Sequence, residues 1–326
     1  MNPRVPNDRC RETAFEDLKA RVRAVSTAPL SAPAAHVLEA LLDKYPGAAA
    51  LFYGSGVSVS AAEEPSSIMF DFYIIADDYD AVYSASVLKI ANKLIPPNVF
   101  YFETPSRFGT LRAKYAVLSI KHFEQLVSDA TFHSYFWARF AQPTRIHTSD
   151  KKMAARLETA LATAITTFCV RASGLMGGPF TAKDLWLDGL GASYKAELRA
   201  EDKTRSARLI ESYGDWTERV TEPALVAAGL SPQTNENRFT ISDKPRASSA
   251  TAWRIRAFAG IFLSALRLLK GTQTFQGGID YIAWKIKRHS GIDIKVTDWE
   301  RKHPMLAAPG AALRYYRLRS AKQKRD

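Results

Sequence analysis

The chain has 326 residues, of which 46% are apolar and 24% are charged, so it can fill the cores of two or three packed units and is not a disordered chain. Its net charge of +12 predicts attraction to polyanions: nucleic acid, anionic lipid or nucleotide phosphates. The two cysteines, Cys10 and Cys169, lie far apart in unlike contexts, which excludes a disulfide framework and a zinc cluster and favours a reducing compartment.

The N-terminal residues resemble neither a secretory signal nor a transit peptide, because they lack an apolar core and four acidic residues interrupt the arginines. The longest apolar run, Ala257–Leu266, has ten residues between two arginines. A membrane span needs about 20 residues. We therefore expect a protein that is not integral to a membrane.

Strands alternate with helices in the first half of the chain, and helices dominate the second half. A polar helix is predicted within 1–30 and a second helix at 36–42, followed by strands at 48–53 and 68–76, a helix at 80–95, strands at 99–102 and 114–119, and a helix near 123–127. Later helices are predicted at 153–170, in the 180s, at 205–227, at 253–270 and at 279–288, with a polar stretch at 231–250.

Asp71 is the first residue that predicts chemistry, because its strand, Ile68–Ile75, is otherwise apolar. A buried carboxylate needs a cation or a strong donor to offset its loss of water. Upstream, the turn Gly54-Ser55-Gly56 can point backbone N–H groups and a hydroxyl into one concavity, which suits a triphosphate. An anion cradle opposite a carboxylate that holds Mg²⁺ is the minimum for nucleotidyl transfer.

Two features weaken this interpretation when it is taken alone. The nucleotidyltransferase signature usually has a second acid two positions after the first, and position 73 is Tyr. A Gly-Ser-Gly loop is common, and an Asp in a strand is often an edge residue or a cap.

Four segments, the first of which contains the Gly-Ser-Gly turn and Asp71, occur in the order and spacing of one known family. Tyr53–Val57 with Met69–Phe72, Lys114–Ser119, Arg139 with Gln142-Pro143, and Ser193–Arg199 resemble motifs of the mitochondrial translocator assembly and maintenance family of phosphatidate cytidylyltransferases. The resemblance covers about residues 48–225. It departs from the family at Ala138, where the family has Gly, and at Ala196-Glu197, where the family has Gly-Asp.

The resemblance implies that the chain makes CDP-diacylglycerol and pyrophosphate from CTP and phosphatidic acid, with Mg²⁺ or another divalent cation. It also implies roles for individual residues. Asp71 and Lys114 would be catalytic, with Asp71 and Glu197 as metal ligands, and the nucleotide and its phosphates would contact Gly54, Ser55, Gly56, Arg139, Tyr194 and Arg199.

Plainer structural roles stay open for several of these residues. Lys114 can be a solvated strand residue, Arg139 can form a structural salt bridge, and Glu197 with Arg199 can be a surface ion pair. The Asp77-Asp78-Asp80 cluster follows a strand, and we interpret it as a helix N-cap rather than a metal site.

The predicted fold class is α/β (α+β): a mixed sheet of the nucleotidyltransferase type, then a helical domain and a basic amphipathic segment. The expected units are an N-terminal helix and linker at 1–35, the nucleotidyltransferase domain at 36–150, the helical domain at 151–230, a linker at 231–250 and the basic segment at 251–326.

The basic segment 251–326 holds 16 Lys and Arg residues against 5 Asp and Glu, which is nearly the whole positive excess of the chain. Its aromatic and basic residues recur at helical spacing, as in helices that lie in the interface of an anionic bilayer. A bundle helix with a solvated basic face is the alternative. The residues expected to contact the membrane are Trp253, Arg254, Arg256, Arg267, Lys270, Trp284, Lys285, Lys287 and Arg288.

We therefore expect a peripheral enzyme on the cytoplasmic face of a bacterial cell membrane, in preference to the matrix side of the mitochondrial inner membrane. One rival is a nucleotidyltransferase that acts on RNA or another phosphate acceptor, although the apolar run Ala257–Leu266 argues against nucleic acid. The other rival is a non-catalytic basic scaffold for lipid or nucleic acid. No feature of the sequence indicates an oligomeric state.

Overall fold

The computed structural model describes residues 6–54, 64–84, 86–197, 203–241, 249–274 and 295–302, with the single residues 283, 310 and 314. Its described part is mixed α/β, which confirms the predicted class at that level. The strands of the main sheet are β1 (Ala49–Tyr53), β2 (Met69–Ala76), β3 (Asn98–Ser106), β4 (Gly109–Ser119) and β5 (Arg145–His147).

The main sheet has the order β3-β4-β2-β1-β5, with β2 and β4 parallel and the other neighbours antiparallel. The central strands are apolar runs covered on both faces, as expected of buried strands. Their register places Asp71 directly between Tyr53 of β1 and Lys114 of β4. Three residues that are distant in sequence therefore lie side by side across three strands.

Helices cover the sheet and continue beyond it. They span Asp8–Ser26, Ala32–Leu42, Ser86–Leu94, Ile120–Val127, Trp137–Phe140, Lys151–Ser173, Ala182–Ala196, Lys203–Glu211, Trp216–Ala227, Ala250–Thr274 and Asp298–Lys302. Within the described residues, Lys151–Ser173 is long and apolar enough to cross a membrane, but most of its apolar window is buried inside the protein. It packs against the N-terminal helix and the helices at 182–196 and 216–227, as a core helix does.

The structure differs from the predicted elements in three places. The helix predicted at 80–95 is a short 3₁₀ turn, Tyr79–Ala81, followed by the helix Ser86–Leu94. The helix predicted at 205–227 is interrupted near Gly214, which adopts φ +61°. Part of the expected linker at 231–250 forms a hairpin of β6 (Gln233–Asn235) and β7 (Arg238–Thr240).

The carboxylate of Asp78 accepts a hydrogen bond from the backbone N–H of Asp80 and caps the short 3₁₀ turn. Asp78 therefore has the capping role predicted for the acidic cluster, at a 3₁₀ turn in place of the predicted helix.

The 250–274 helix packs against the helix Ala182–Ala196 and against β3. Gly260 allows the contact, because a Cβ atom at this position would lie 2.6 Å from the carbonyl oxygen of Ala196. The basic segment therefore begins as part of the folded body and not as a separate appendage.

Candidate active site

Asp71 of β2 lies beside Lys114 of β4, its neighbour in the parallel pairing of these strands. The Nζ atom of Lys114 is 3.4 Å from Oδ1 of Asp71, and this ion pair raises the pKa of Lys114 above its ordinary value. The Oδ1 atom is buried, yet no described residue gives it an aligned hydrogen bond. The arrangement confirms that the carboxylate has a cation nearby, and it leaves one carboxylate oxygen with unused capacity.

Gly54 begins the predicted phosphate turn and adjoins the same carboxylate. It adopts φ +80°, and a Cβ atom built on it would lie 3.6 Å from Oδ2 of Asp71. A side chain here would strain the backbone, although its Cβ would make only an ordinary van der Waals contact with the carboxylate. Ser55 and Gly56, the other residues predicted for this turn, fall outside the described residues.

Arg139 and Glu197 form a buried ion pair next to Tyr53. The Nη2 atom of Arg139 donates to Oε2 of Glu197 at 3.1 Å, and its Nη1 atom donates to the Tyr53 hydroxyl at 3.1 Å. Both charged side chains are nearly inaccessible, at 9% and 6% exposed. Burial raises the pKa of Tyr53 to about 12, so its hydroxyl stays protonated. The structural salt bridge considered for Arg139 is therefore present.

Arg139 competes with a metal ion for the carboxylate of Glu197, which was predicted to be a metal ligand. Its other oxygen, Oε1, accepts a hydrogen bond from Ser193 at 3.5 Å. Among the described residues, no group of three or more His, Cys, Asp or Glu side chains could hold a metal ion together. Asp71 alone fits the pattern of Mg²⁺ sites, which use one or two carboxylates with substrate phosphates and water.

Tyr194 is buried in the helix that ends at Ala196, one turn before Glu197. Its backbone carbonyl accepts the N–H of Glu197 at 3.0 Å, so it supports the position of that carboxylate. Arg199, the other residue predicted for this wall, lies outside the described part of the chain.

Tyr135 and Tyr73 lie in this region, and neither was predicted from the sequence to be part of the site. The guanidinium carbon of Arg139 lies 4.3 Å from the ring centre of Tyr135, and that of Arg267 lies 4.0 Å from the same centre. Tyr73 is on the same face of β2 as Asp71, and burial, with a smaller contribution from Tyr135, raises the pKa of Tyr73. The available signal in the sequence was Tyr73 itself, which occupies the position where the signature usually has a second acid. Its neighbours in the structure are phenol and guanidinium groups.

The structure contradicts the prediction that Trp253 and Arg256 contact a membrane. Trp253 is 5% exposed and Arg256 is 0% exposed. The indole Nε1 atom of Trp253 donates to the carbonyl of Arg171 at 2.9 Å, and Arg256 donates from Nε to the carbonyl of Phe132 at 2.7 Å. Both face inward because they lie three residues apart on the helix face that also carries Gly260.

Arg267 and Lys270 also differ from the prediction, since they bind the protein itself. Arg267 donates from Nε to the carbonyl of Pro96 at 2.7 Å. Lys270 donates to the carbonyls of Ile95 and of Pro97, the latter at 2.8 Å.

Arg254 is exposed, as expected. Trp284, Lys285, Lys287 and Arg288 fall outside the described residues. Membrane contact by these five residues therefore stays a prediction.

The described outward face of the 250–274 helix carries large apolar side chains in addition to Arg254. Ile255, Phe258 and Phe262 are exposed at 56%, 77% and 62%. A soluble chain seldom leaves large apolar side chains in solvent at helical spacing unless they meet a partner. Within the described part of this helix, Trp253 and Arg256 face inward, whereas Arg254, Ile255, Phe258 and Phe262 face solvent.

The chain matches no family model, and no curated protein matches it significantly.

Proposed function

We propose that the chain transfers a cytidylyl group from CTP to phosphatidic acid at a membrane surface, forming CDP-diacylglycerol and pyrophosphate, on a sheet of the nucleotidyltransferase type. The observation that carries the proposal is the buried Oδ1 atom of Asp71, which has unused capacity beside Lys114 and Gly54. Such an oxygen suits a divalent cation, and a glycine turn beside it suits phosphates. The choice of CTP and phosphatidic acid rests on the sequence resemblance.

Each residue of the site has a separate role in the proposed transfer. Mg²⁺ held by Asp71 would lower the charge on the phosphate oxygens and on the leaving pyrophosphate. Lys114 stays protonated beside Asp71 and can neutralise charge on the transferred phosphate. Glu197 holds Arg139 in place, so in this proposal it orients a cation instead of serving as the second metal ligand. The phosphomonoester of the acceptor is already an anion near neutral pH, so no general base is needed.

The membrane part of the proposal rests on the exposed apolar face of the 250–274 helix, with Ile255, Phe258 and Phe262. Phenylalanine and isoleucine side chains can enter the boundary between lipid headgroups and acyl chains. The charge of the basic segment adds attraction to an anionic leaflet. This face replaces the inward-facing Trp253 and Arg256 as the proposed contact.

The activity is tested with purified protein, labelled CTP, Mg²⁺ and vesicles that contain phosphatidic acid. We expect labelled CDP-diacylglycerol, and Asp71→Asn should lower its formation by at least about a hundredfold because it removes the metal-binding charge. Asp77→Asn is the matched control, since Asp77 is exposed just after the same strand.

Two outcomes would overturn this proposal. Absence of product with CTP would overturn the cytidylyl transfer, and full activity of Asp71→Asn would overturn the site. Equal transfer to an RNA acceptor would favour the rival nucleotidyltransferase.

Membrane contact is tested by flotation of the full chain with anionic vesicles. The double variant Phe258→Ser with Phe262→Ser should bind less lipid while it keeps the same urea unfolding midpoint, because both side chains are exposed in the folded protein. Undiminished flotation of this variant would refute the role of this face.

A further inference from the structure

A cavity of about 180 Å³ opens beside Gly54, on the side where β5 meets the helical part of the chain. Its lining includes Gln142, Arg145, Tyr213, Trp216 and Arg219. Gly54 therefore adjoins both the Asp71 carboxylate and this cavity. A ligand bound at the carboxylate and extending past Gly54 can reach the cavity.

The neutral polar groups of the lining already have partners within the protein. Gln142 donates from Nε2 to the carbonyl of Ala138 at 3.0 Å, and its Oε1 atom accepts the Tyr213 hydroxyl at 2.6 Å. The indole Nε1 atom of Trp216 donates to the carbonyl of Ala141 at 3.1 Å. These side chains form a fixed wall and leave little hydrogen-bonding capacity for reading a nucleobase.

The charged groups of the lining have capacity to spare. Arg145 lies opposite Phe52 in the β1–β5 register and donates to the carbonyl of Val25. No carboxylate among the described residues pairs with it, and burial alone lowers its pKa. Among the described residues, Arg219 pairs with the solvent-exposed Asp215 at 3.7 Å, one turn away, and Asp215 also lines the cavity. Two guanidinium groups against one exposed carboxylate make a site for an anion.

We propose that this cavity binds the pyrophosphate end of the nucleotide, with Arg145 and Arg219 as its phosphate-binding residues. The cavity is smaller than the ~300–1,000 Å³ of pockets that enclose a whole ligand, which fits one part of a nucleotide. The proposal rests on the proposed function for its biological meaning. Its probe, inorganic pyrophosphate, binds or fails to bind whether or not the protein transfers a cytidylyl group.

The experiment is titration calorimetry of the full chain with magnesium pyrophosphate, and with CMP as the ligand that lacks the β- and γ-phosphates. Arg145→Gln should weaken pyrophosphate binding by at least about tenfold, since a charge-assisted pair is lost. Arg156→Gln is the matched control, because Arg156 is a surface residue paired with Glu124 at 2.8 Å and lies outside the cavity.

A second pair of variants guards against loss of folding in Arg145→Gln. Ser212 is exposed and lines the cavity, so Ser212→Trp should fill the entrance and weaken pyrophosphate binding, whereas Ser212→Ala should bind as the parent does. Absence of pyrophosphate binding by the parent chain would overturn the proposal. So would equal binding by the parent, Arg145→Gln and Ser212→Trp. Pyrophosphate binding without formation of CDP-diacylglycerol would support the cavity and overturn only the proposed function.

Discussion

The buried pair of Arg139 and Glu197 allows a decisive test of what Glu197 does. The substitution Glu197→Gln leaves Arg139 charged, nearly inaccessible and without its 3.1 Å carboxylate partner. Removal of one partner of a buried pair costs about 3–5 kcal/mol. The amide oxygen of Gln still accepts a hydrogen bond, so we expect a loss near the lower value. An exposed pair would lose only about 0–1 kcal/mol.

The assay is urea unfolding in buffer without divalent cations. A metal ligand would show little loss of stability under these conditions, whereas the partner of Arg139 should show the full loss. The double variant Arg139→Met with Glu197→Met should be more stable than the sum of the single losses predicts, because no charge is left unpaired. A loss below about 1 kcal/mol for Glu197→Gln would refute the pairing role and restore the metal-ligand hypothesis.

Three further predictions follow from packing and charge. On the helix Ala182–Ala196, Gly189→Ala should cost about 1–3 kcal/mol in urea unfolding, because its Cβ would lie 2.7 Å from Phe168, whereas Gly191→Ala meets open space and should gain up to about 1 kcal/mol. Cys169 is buried, and burial raises the pKa of its thiol, so a thiol reagent should label only the exposed Cys10 until the protein unfolds; rapid labelling of both would contradict the fold. The pKa of Lys114 is raised in the folded state, so its pairing with Asp71 stabilises the fold fully below pH 10.5, the ordinary pKa of lysine, and is lost as the pH rises through the higher folded-state pKa. The difference in unfolding free energy between the parent and Asp71→Asn should therefore stay constant from about pH 6 to 10. A decline of that difference within this range would refute the pairing.

The strands were predictable from the sequence because their apolar runs are local signals. The strand predicted at 68–76 is β2, Met69–Ala76, and the strand predicted at 48–53 is β1. Helix ends and interruptions were harder, since Gly214 breaks a pattern whose apolar spacing continues across it. Periodicity records which residues share a face but not where the chain reverses.

The chemistry of Asp71 was predictable from its apolar surroundings, and the identity of its neighbours was only partly so. Lys114 comes beside it through the parallel pairing of β2 with β4, a contact between distant segments that no local pattern reveals. Arg145 and Tyr135 flank the predicted motif of Arg139 and Gln142-Pro143, but no local pattern showed that their side chains reach the same region. Trp253 and Arg256 were assigned to the wrong face, because the helix is apolar on both sides and amphipathicity alone does not say which side meets the core.

The inward-facing tryptophan of the 250–274 helix changes how deletion experiments should be interpreted. Trp253 packs edge-on against Trp137 with ring centres 5.9 Å apart, and Trp137 is itself fully buried. A chain shortened before residue 251 would expose that second tryptophan and the groove around it. The newly exposed apolar surface would bind vesicles non-specifically, and a flotation assay would not distinguish this binding from specific membrane contact. The 250–274 helix is therefore part of the folded core, and its contribution to lipid binding can be measured only by substitutions that leave it in place.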